Sequence, residues 1–122
     1  MEPGVALFDN HEFEKAKDYF LTEYKENEKE PQINFYLGRC YLMLKDYDKA
    51  VDFLEDAVDL DEKNVLYHLR LGEALGAKAQ ASNMFKAAWL ASKVKDQFEK
   101  AYELDPTDLG AQIACVSFYI QV

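Results

Sequence analysis

Histidine and cysteine are the side chains of this chain best suited to act as bases, nucleophiles or soft metal ligands, and there are two of each. His11 lies at the polar start of a predicted helix, and we expect His68 to be a packing residue. Cys40 and Cys115 lack the Cys-x-x-Cys spacing, and no histidine cluster offers a metal site. We therefore predict no catalytic residue, no metal site and no cofactor. The two cysteines are expected to be buried free thiols.

A fixed spacing organises the elements that carry these residues. Gly4, Gly38 and Gly72 lie 34 residues apart, and the same spacing lengthens to 44 between Leu54 and Phe98. A repeat of this length is typical of a solenoid, whose units bury their apolar faces by stacking on their neighbours. The sequence therefore predicts a repeat protein in which one unit carries a ten-residue insertion.

Each unit is predicted to be a hairpin of two antiparallel helices. Apolar residues recur at helical spacing within residues 31–44 and again within residues 49–60, and a short polar turn separates the two stretches. Gly38 and Ala57 are small at positions where two helices would press together, because a larger side chain there would push the backbones apart. We expect at least five helices and no strand.

These positions resemble the tetratricopeptide repeat, which has Leu-Gly and an aromatic residue in its first helix and Ala, Phe, Ala and Pro in its second. The complete and the long unit supply the matching residues Leu37, Gly38, Tyr41, Ala50, Leu54, Ala57, Leu71, Gly72, Leu75, Val94, Phe98, Ala101 and Pro106. The resemblance implies an all-α, right-handed solenoid of antiparallel helical hairpins, one of them elongated. Val116 departs from the pattern, because the family has glycine there.

The repeat register also predicts how the chain is divided. We expect a single domain over residues 1–122, with a partial first repeat at 1–30 and a complete repeat at 31–64. An elongated repeat at 65–108 and the lone helix of a truncated last repeat at 109–122 would follow. That last helix is apolar, so we expect either that the chain is a fragment of a longer solenoid or that another copy covers the helix.

By this resemblance, ligands bind in a concave groove lined by the first helix of each unit. The corresponding residues are Gln32, Phe35, Arg39, Leu42, Leu66, Leu69, Glu73, Ile113 and Ser117. The set is mainly apolar with one cation and one anion, which suits an extended or helical peptide. Some family members clamp a C-terminal carboxylate with Lys and Asn at places taken here by Phe35 and Arg39, so that clamp is predicted to be absent. The alternative is that part of this floor is core between helices.

The insertion is the most individual feature of the sequence. Ten extra residues would most simply add about five to each helix, giving a long pair over residues 65–80 and 83–104 with Ser82 as the N-cap of the second helix. The predicted core stripe of that second helix is Met84, Ala87, Ala91, Val94, Phe98, Ala101 and Tyr102.

Two large aromatic residues of the insertion fall outside that stripe. Phe85 and Trp89 lie four residues apart on another flank, close to Lys86 and Lys93. One interpretation is that the small alanines of residues 77–81 cover the two rings. The other is an exposed aromatic and basic surface that contacts a partner or an anionic membrane.

Charge is distributed unevenly along the chain, which has a net charge of −9. Residues 1–77 hold nine Lys and Arg against eighteen Asp and Glu, whereas residues 78–122 hold five of each. Residues 78–95 contain four lysines and no acid. An acidic body argues against nucleic-acid binding, because it would repel backbone phosphates. We expect the acidic runs to form a solvated helix face.

The sequence alone leaves three functions open. The first is a non-catalytic scaffold that binds a protein or peptide, as the repeat class implies. The second is a self-assembly module, since the acidic body and the basic insert are complementary. The third and less favoured is an adaptor at a membrane surface through the insert. The chain has neither a signal-peptide pattern at its start nor a transmembrane-length apolar run, so a soluble protein is expected and the compartment is unknown.

Overall fold

The computed structural model describes residues 2–121, which form seven α-helices and no strand. The helices are α1 (Glu2–Asp9), α2 (Phe13–Glu26), α3 (Pro31–Met43), α4 (Tyr47–Leu60), α5 (Val65–Gln80), α6 (Met84–Leu104) and α7 (Leu109–Gln121). They fall into two compact units, of which unit 1 ends at Glu62 and unit 2 begins at Lys63. The prediction of an all-α architecture is confirmed.

The helix ends of unit 1 follow local sequence signals. Pro31 occupies the first turn of α3, where its missing N–H is not needed, and the Glu30 side chain accepts a hydrogen bond from the Gln32 amide at 3.4 Å. Asp46 caps α4 by accepting from the Lys49 amide at 3.3 Å. These caps fix the residues at which α3 and α4 begin, so the connections before them are short and consecutive helices run antiparallel.

A buried asparagine fixes the loop between α2 and α3. The Asn34 amide nitrogen donates to the backbone carbonyls of Glu28 at 2.9 Å and Glu30 at 3.0 Å. Asn34 is fully buried, and its backbone amide also donates to the Glu30 carbonyl, at 3.2 Å. Asn34 therefore ties the start of α3 to the chain that precedes it.

The close approach predicted at Gly38 is present between α3 and α4. A Cβ atom on Gly38 would lie 2.5 Å from Leu54 Cγ and 3.2 Å from the Ala50 carbonyl oxygen. Leu54 and Ala57 are both fully buried in this interface. Only a residue without a side chain lets the two backbones pack at this distance.

Unit 2 contains the elongated hairpin, and the ten added residues are divided unequally. α5 is three residues longer than α3 (16 against 13), and α6 is seven longer than α4 (21 against 14). The predicted pair over 65–80 and 83–104 is therefore right in position, but the equal division was wrong. The larger share falls to α6, whose first turns form a largely exposed helix.

The N-cap of α6 differs from the prediction. Asn83, not Ser82, accepts a hydrogen bond from the Lys86 amide, at 2.9 Å. The Ser82 hydroxyl instead donates to the Lys78 carbonyl in the last turn of α5, at 2.7 Å. Ser82 thus closes one helix while Asn83, with extended backbone, starts the next.

The buried stripe of α6 is also rotated from the predicted one. Leu90 is 2% exposed and lies in the core with Val94 and Ala101, whereas Met84 is 81% exposed and Tyr102 is exposed as well. Met84 is the first residue of the helix, so there is little packed structure around it. The predicted stripe is therefore confirmed at Val94 and Ala101 and wrong at Met84 and Tyr102, and it missed Leu90.

The titratable core residues serve packing. His68 is buried, and its Nδ1 lies 2.7 Å from Gln97 Oε1, which links α5 to α6 as expected of a packing residue. Cys40 is buried and free, and burial raises the pKa of its thiol to about 12. Cys115 is free but only half-buried, so the prediction of two buried free thiols was wrong for Cys115. Its thiol lies at the contact of α7 with α6 and donates to the Phe98 carbonyl at 3.4 Å.

Candidate functional site

Unit 2 contains an open groove between α5 and α7 with a volume of about 790 Å³. We name it the α5–α7 groove. All five of the predicted ligand-groove residues in this unit line it: Leu66, Leu69, Glu73, Ile113 and Ser117. Leu69 is buried and forms part of the floor, whereas Leu66, Glu73, Ile113 and Ser117 are exposed. The two helices therefore bring residues from distant positions of the sequence onto one concave surface.

Glycines keep this groove open. A Cβ atom on Gly76 would meet no other heavy atom within 4 Å, so there is open space beside this part of α5. Gly110 is tighter, since a Cβ atom there would lie 3.3 Å from Leu69 Cδ1. One turn earlier on α5, a Cβ atom on Gly72 would collide with the ring of Phe98. The groove is therefore closely packed at its floor, near Gly72 and Gly110, and has open space beside Gly76.

The charged groups that line the groove are one cation and two anions. Arg70 Nη1 donates to Glu73 Oε1 at 2.8 Å, so these two charges are paired with each other. The Asp108 carboxylate caps α7 by accepting from the Ala111 amide at 2.9 Å. The groove consequently has a slightly negative charge and no concentration of cations, among the residues described.

The four predicted groove residues of unit 1 lie on α3. Phe35 is 3% exposed and is part of the core of unit 1. The Arg39 guanidinium lies 4.7 Å from the centre of the Phe8 ring and 5.6 Å from that of Phe35, a cation–π arrangement. Gln32 is exposed and Leu42 is half-buried. The alternative that part of the floor is helix core therefore holds for Phe35, and Arg39 is held against aromatic rings.

The tip of the elongated hairpin carries the exposed aromatic residues of the insertion. Phe85 is 87% exposed and Trp89 is 56% exposed, and Met84 beside them is also exposed. The Lys93 ammonium lies 4.2 Å from the centre of the Trp89 ring. We name Met84, Phe85, Lys86, Trp89 and Lys93 the hairpin tip. Covering by alanines of α5, one of the two interpretations above, is contradicted, because no packing hides Phe85.

A second groove lies between α6 and α7, with a volume of about 750 Å³, and we name it the outer groove. Its apolar lining consists of Tyr102, Cys115, Val116, Tyr119 and Ile120. Glu99 and Glu103 line it as well, and Tyr119 donates its hydroxyl hydrogen to Glu99 Oε2 at 2.8 Å. That hydrogen bond raises the pKa of Tyr119. The apolar character of 109–122 indicated an exposed surface, but no sequence signal paired it with the end of α6.

Among residues 2–121, no three His, Cys, Asp or Glu side chains come together as potential metal ligands. None of the seven helices described is both long enough and apolar enough to cross a bilayer.

Antiparallel helix pairs repeated at a fixed spacing, with a groove beside the first helices, define a class of helical repeat proteins. Residues 4–65 match the sequence pattern of the family described as tetratricopeptide repeat. The chain belongs to this family, which confirms the resemblance seen in the sequence.

Known proteins are similar to this chain at two levels. Anaphase-promoting complex subunit 3 of Dictyostelium discoideum is 42% identical over 81 residues, which is 66% of this chain and 8% of that protein. The chain therefore spans a small part of this relative's length.

Solved structures show the fold. TTC0263, a thermophilic TPR protein of Thermus thermophilus, superimposes with a TM-score of 0.89 at 18% identity, over 99% of this chain and 63% of that one. The first TPR of Spaghetti (RPAP3), bound to the HSP90 peptide SRMEEVD, gives a TM-score of 0.83 at 19% identity, over 98% of this chain and 87% of that one.

Proposed function

We propose that this chain is a non-catalytic scaffold module that binds an extended peptide segment of a protein partner in the α5–α7 groove. The observation that carries the proposal is the open α5–α7 groove, which includes the space beside Gly76 and the exposed apolar side chains of Leu66 and Ile113. An extended peptide can place alternate side chains against such apolar positions while its backbone uses the polar groups.

The likeness to a peptide-bound structure supports this proposal. The first TPR of RPAP3 is bound to the peptide SRMEEVD, and its fold is shared over nearly all of this chain. The residues in this groove favour a different peptide, because the lining cation Arg70 is paired with Glu73 and the other lining charge, Asp108, is negative. We infer that the partner segment is apolar with a neutral or basic character, and that acidic peptides ending in a carboxylate bind weakly.

A glycine substitution tests the proposal without disturbing the core. Gly76→Leu places a side chain in the open part of the groove, where its Cβ atom would meet no other heavy atom within 4 Å. Peptides would be selected from a displayed random library on the wild-type chain and then measured by isothermal titration calorimetry. We expect Gly76→Leu to weaken their binding at least tenfold, because the new side chain occupies the space of the ligand.

A matched control separates the groove from the general surface. Thr22→Leu adds the same side chain at an exposed position of α2 and should leave affinity unchanged. The peptide SRMEEVD serves as the acidic probe and should bind more weakly than the selected peptides. Equal affinity of the selected peptides for wild type and Gly76→Leu would show that the α5–α7 groove is not the binding site.

A further inference from the structure

The hairpin tip combines exposed apolar surface with positive charge. Phe85 and Trp89 lie one helical turn apart on the solvent-facing side of α6, and Lys86 and Lys93 flank them. Residues 81–95 hold three lysines, Lys86, Lys93 and Lys95, and no acid, so this segment is positively charged. Exposed aromatic rings with adjacent cations are characteristic of contact surfaces.

The outer groove has the opposite character. Its floor is apolar, with the exposed side chains of Val116 and Ile120, and two carboxylates, Glu99 and Glu103, lie beside that floor. None of the described residues that line it is a lysine or arginine. A ligand for this groove should therefore present apolar side chains together with positive charge.

We propose that copies of this chain associate head to tail, with the hairpin tip of one copy seated in the outer groove of the next. The tip supplies what the groove lacks: two aromatic rings for the apolar floor and lysines for the two glutamates. Both surfaces belong to unit 2, and α6 carries the tip and one wall of the groove. Ten residues of α6 separate Trp89 from Glu99, a distance of about 15 Å along a rigid helix, so a copy cannot fill its own groove.

The geometry determines the kind of assembly. The two surfaces differ from each other, so the contact is heterologous, and each added copy leaves one tip and one groove vacant. Two aromatic side chains bury about 150–250 Å² each, which places the contact among the small and weak interfaces. We therefore expect reversible, concentration-dependent association that salt weakens, and not a fixed dimer.

Reversing the charges of the hairpin tip and of the outer groove tests the contact. Association would be measured by sedimentation velocity over a wide concentration range. The tip variant, Lys86→Glu with Lys93→Glu, and the groove variant, Glu99→Lys with Glu103→Lys, should each remain monomeric. The chain that carries all four changes should associate again, because tip and groove are then complementary with exchanged signs. An equimolar mixture of the tip variant and the groove variant should also associate, and loss of folding cannot mimic either result.

Three further variants complete the test. Trp89→Ala should weaken association at least tenfold, because it removes the larger aromatic anchor. Lys15→Glu with Lys29→Glu makes the same change in net charge on exposed residues of unit 1 and should leave association unchanged. Gly76→Leu, which blocks the α5–α7 groove, should also have no effect, so this test is independent of peptide binding.

Several outcomes would overturn the proposal. One is a wild-type chain that stays monomeric at every concentration and salt. Another is association that the tip and groove variants abolish but the four-change variant does not restore. A monomeric chain that binds vesicles containing phosphatidylserine through Trp89 would assign the tip to a membrane surface instead.

Discussion

Replacing Gly38 by alanine should destabilise the protein, although alanine is the better helix former. A Cβ atom at this position would lie 2.5 Å from Leu54 Cγ and 3.2 Å from the Ala50 carbonyl oxygen. Leu54 Cγ is a branch point of a fully buried side chain, and the carbonyl belongs to the backbone of α4, so neither can turn aside. The helices must separate or the Leu54 side chain must leave its rotamer.

The expected change is a difference between two terms. Overpacking a well-packed interface costs about 1–3 kcal/mol, and the upper part of that range applies where a buried branch point and a backbone atom are both too close. Alanine gains about 0.8–1 kcal/mol over glycine from helix propensity. We expect Gly38→Ala to lower the free energy of unfolding by about 1–2 kcal/mol.

Gly76→Ala provides the matched control within the same fold. It is the same chemical change in the interior of a helix, but a Cβ atom on Gly76 meets nothing within 4 Å. Only the propensity gain remains, so the free energy of unfolding should rise by about 0.5–1 kcal/mol. Urea denaturation followed by far-ultraviolet circular dichroism would measure both variants. If both midpoints rise to the same extent, the close helix contact at Gly38 does not exist.

Three other predictions follow from buried or capping groups. Alkylation at pH 8, followed by peptide mass spectrometry, should label Cys115 in the folded chain and Cys40 only after unfolding. The reason is that Cys40 is buried, which raises the pKa of its thiol to about 12. Equal labelling of the two cysteines in the folded chain would contradict the burial of Cys40. Asn34→Asp should lower the free energy of unfolding by about 2–4 kcal/mol in urea titrations, since a carboxylate would then face two backbone carbonyls. Asn83→Ala should lower the free energy of unfolding by about 1 kcal/mol through loss of the α6 cap, and Ser82→Ala should lower it clearly less. A larger effect of Ser82→Ala than of Asn83→Ala in thermal melts would identify Ser82 as the cap.

The repeat spacing made the hairpins predictable. Residues that face the same neighbour must recur at the same place in each unit, so the glycine spacing of 34 indicated the close contact at Gly38. The longer spacing of 44 between Leu54 and Phe98 indicated the longer pair in unit 2. The division of the ten added residues was not predictable, because extending either helix is equally compatible with an antiparallel pair. Asn34 was also missed, since its role depends on where the preceding loop presents its carbonyls.

The surfaces were less predictable than the helices. Spacing placed Phe85 and Trp89 off the core stripe, and both are exposed, but the same spacing put Met84 in the core in place of Leu90. A helical pattern shows which residues share a face and leaves open which face meets the neighbouring helix. The outer groove depends on α6 and α7 packing side by side, so its apolar and acidic residues are brought together only by the tertiary structure.

The position of the only tryptophan gives the protein a built-in optical probe. Trp89 is more than half exposed on the hairpin tip, with the Lys93 ammonium over its ring, and it lies away from the helix contacts of the core. Its emission should already resemble that of tryptophan in water, so unfolding in urea should shift its wavelength very little. Burial of the ring by any partner should shift the emission to the blue. The fluorescence of unlabelled protein can therefore report whether the tip is occupied, and its wavelength should change very little when the helices unfold.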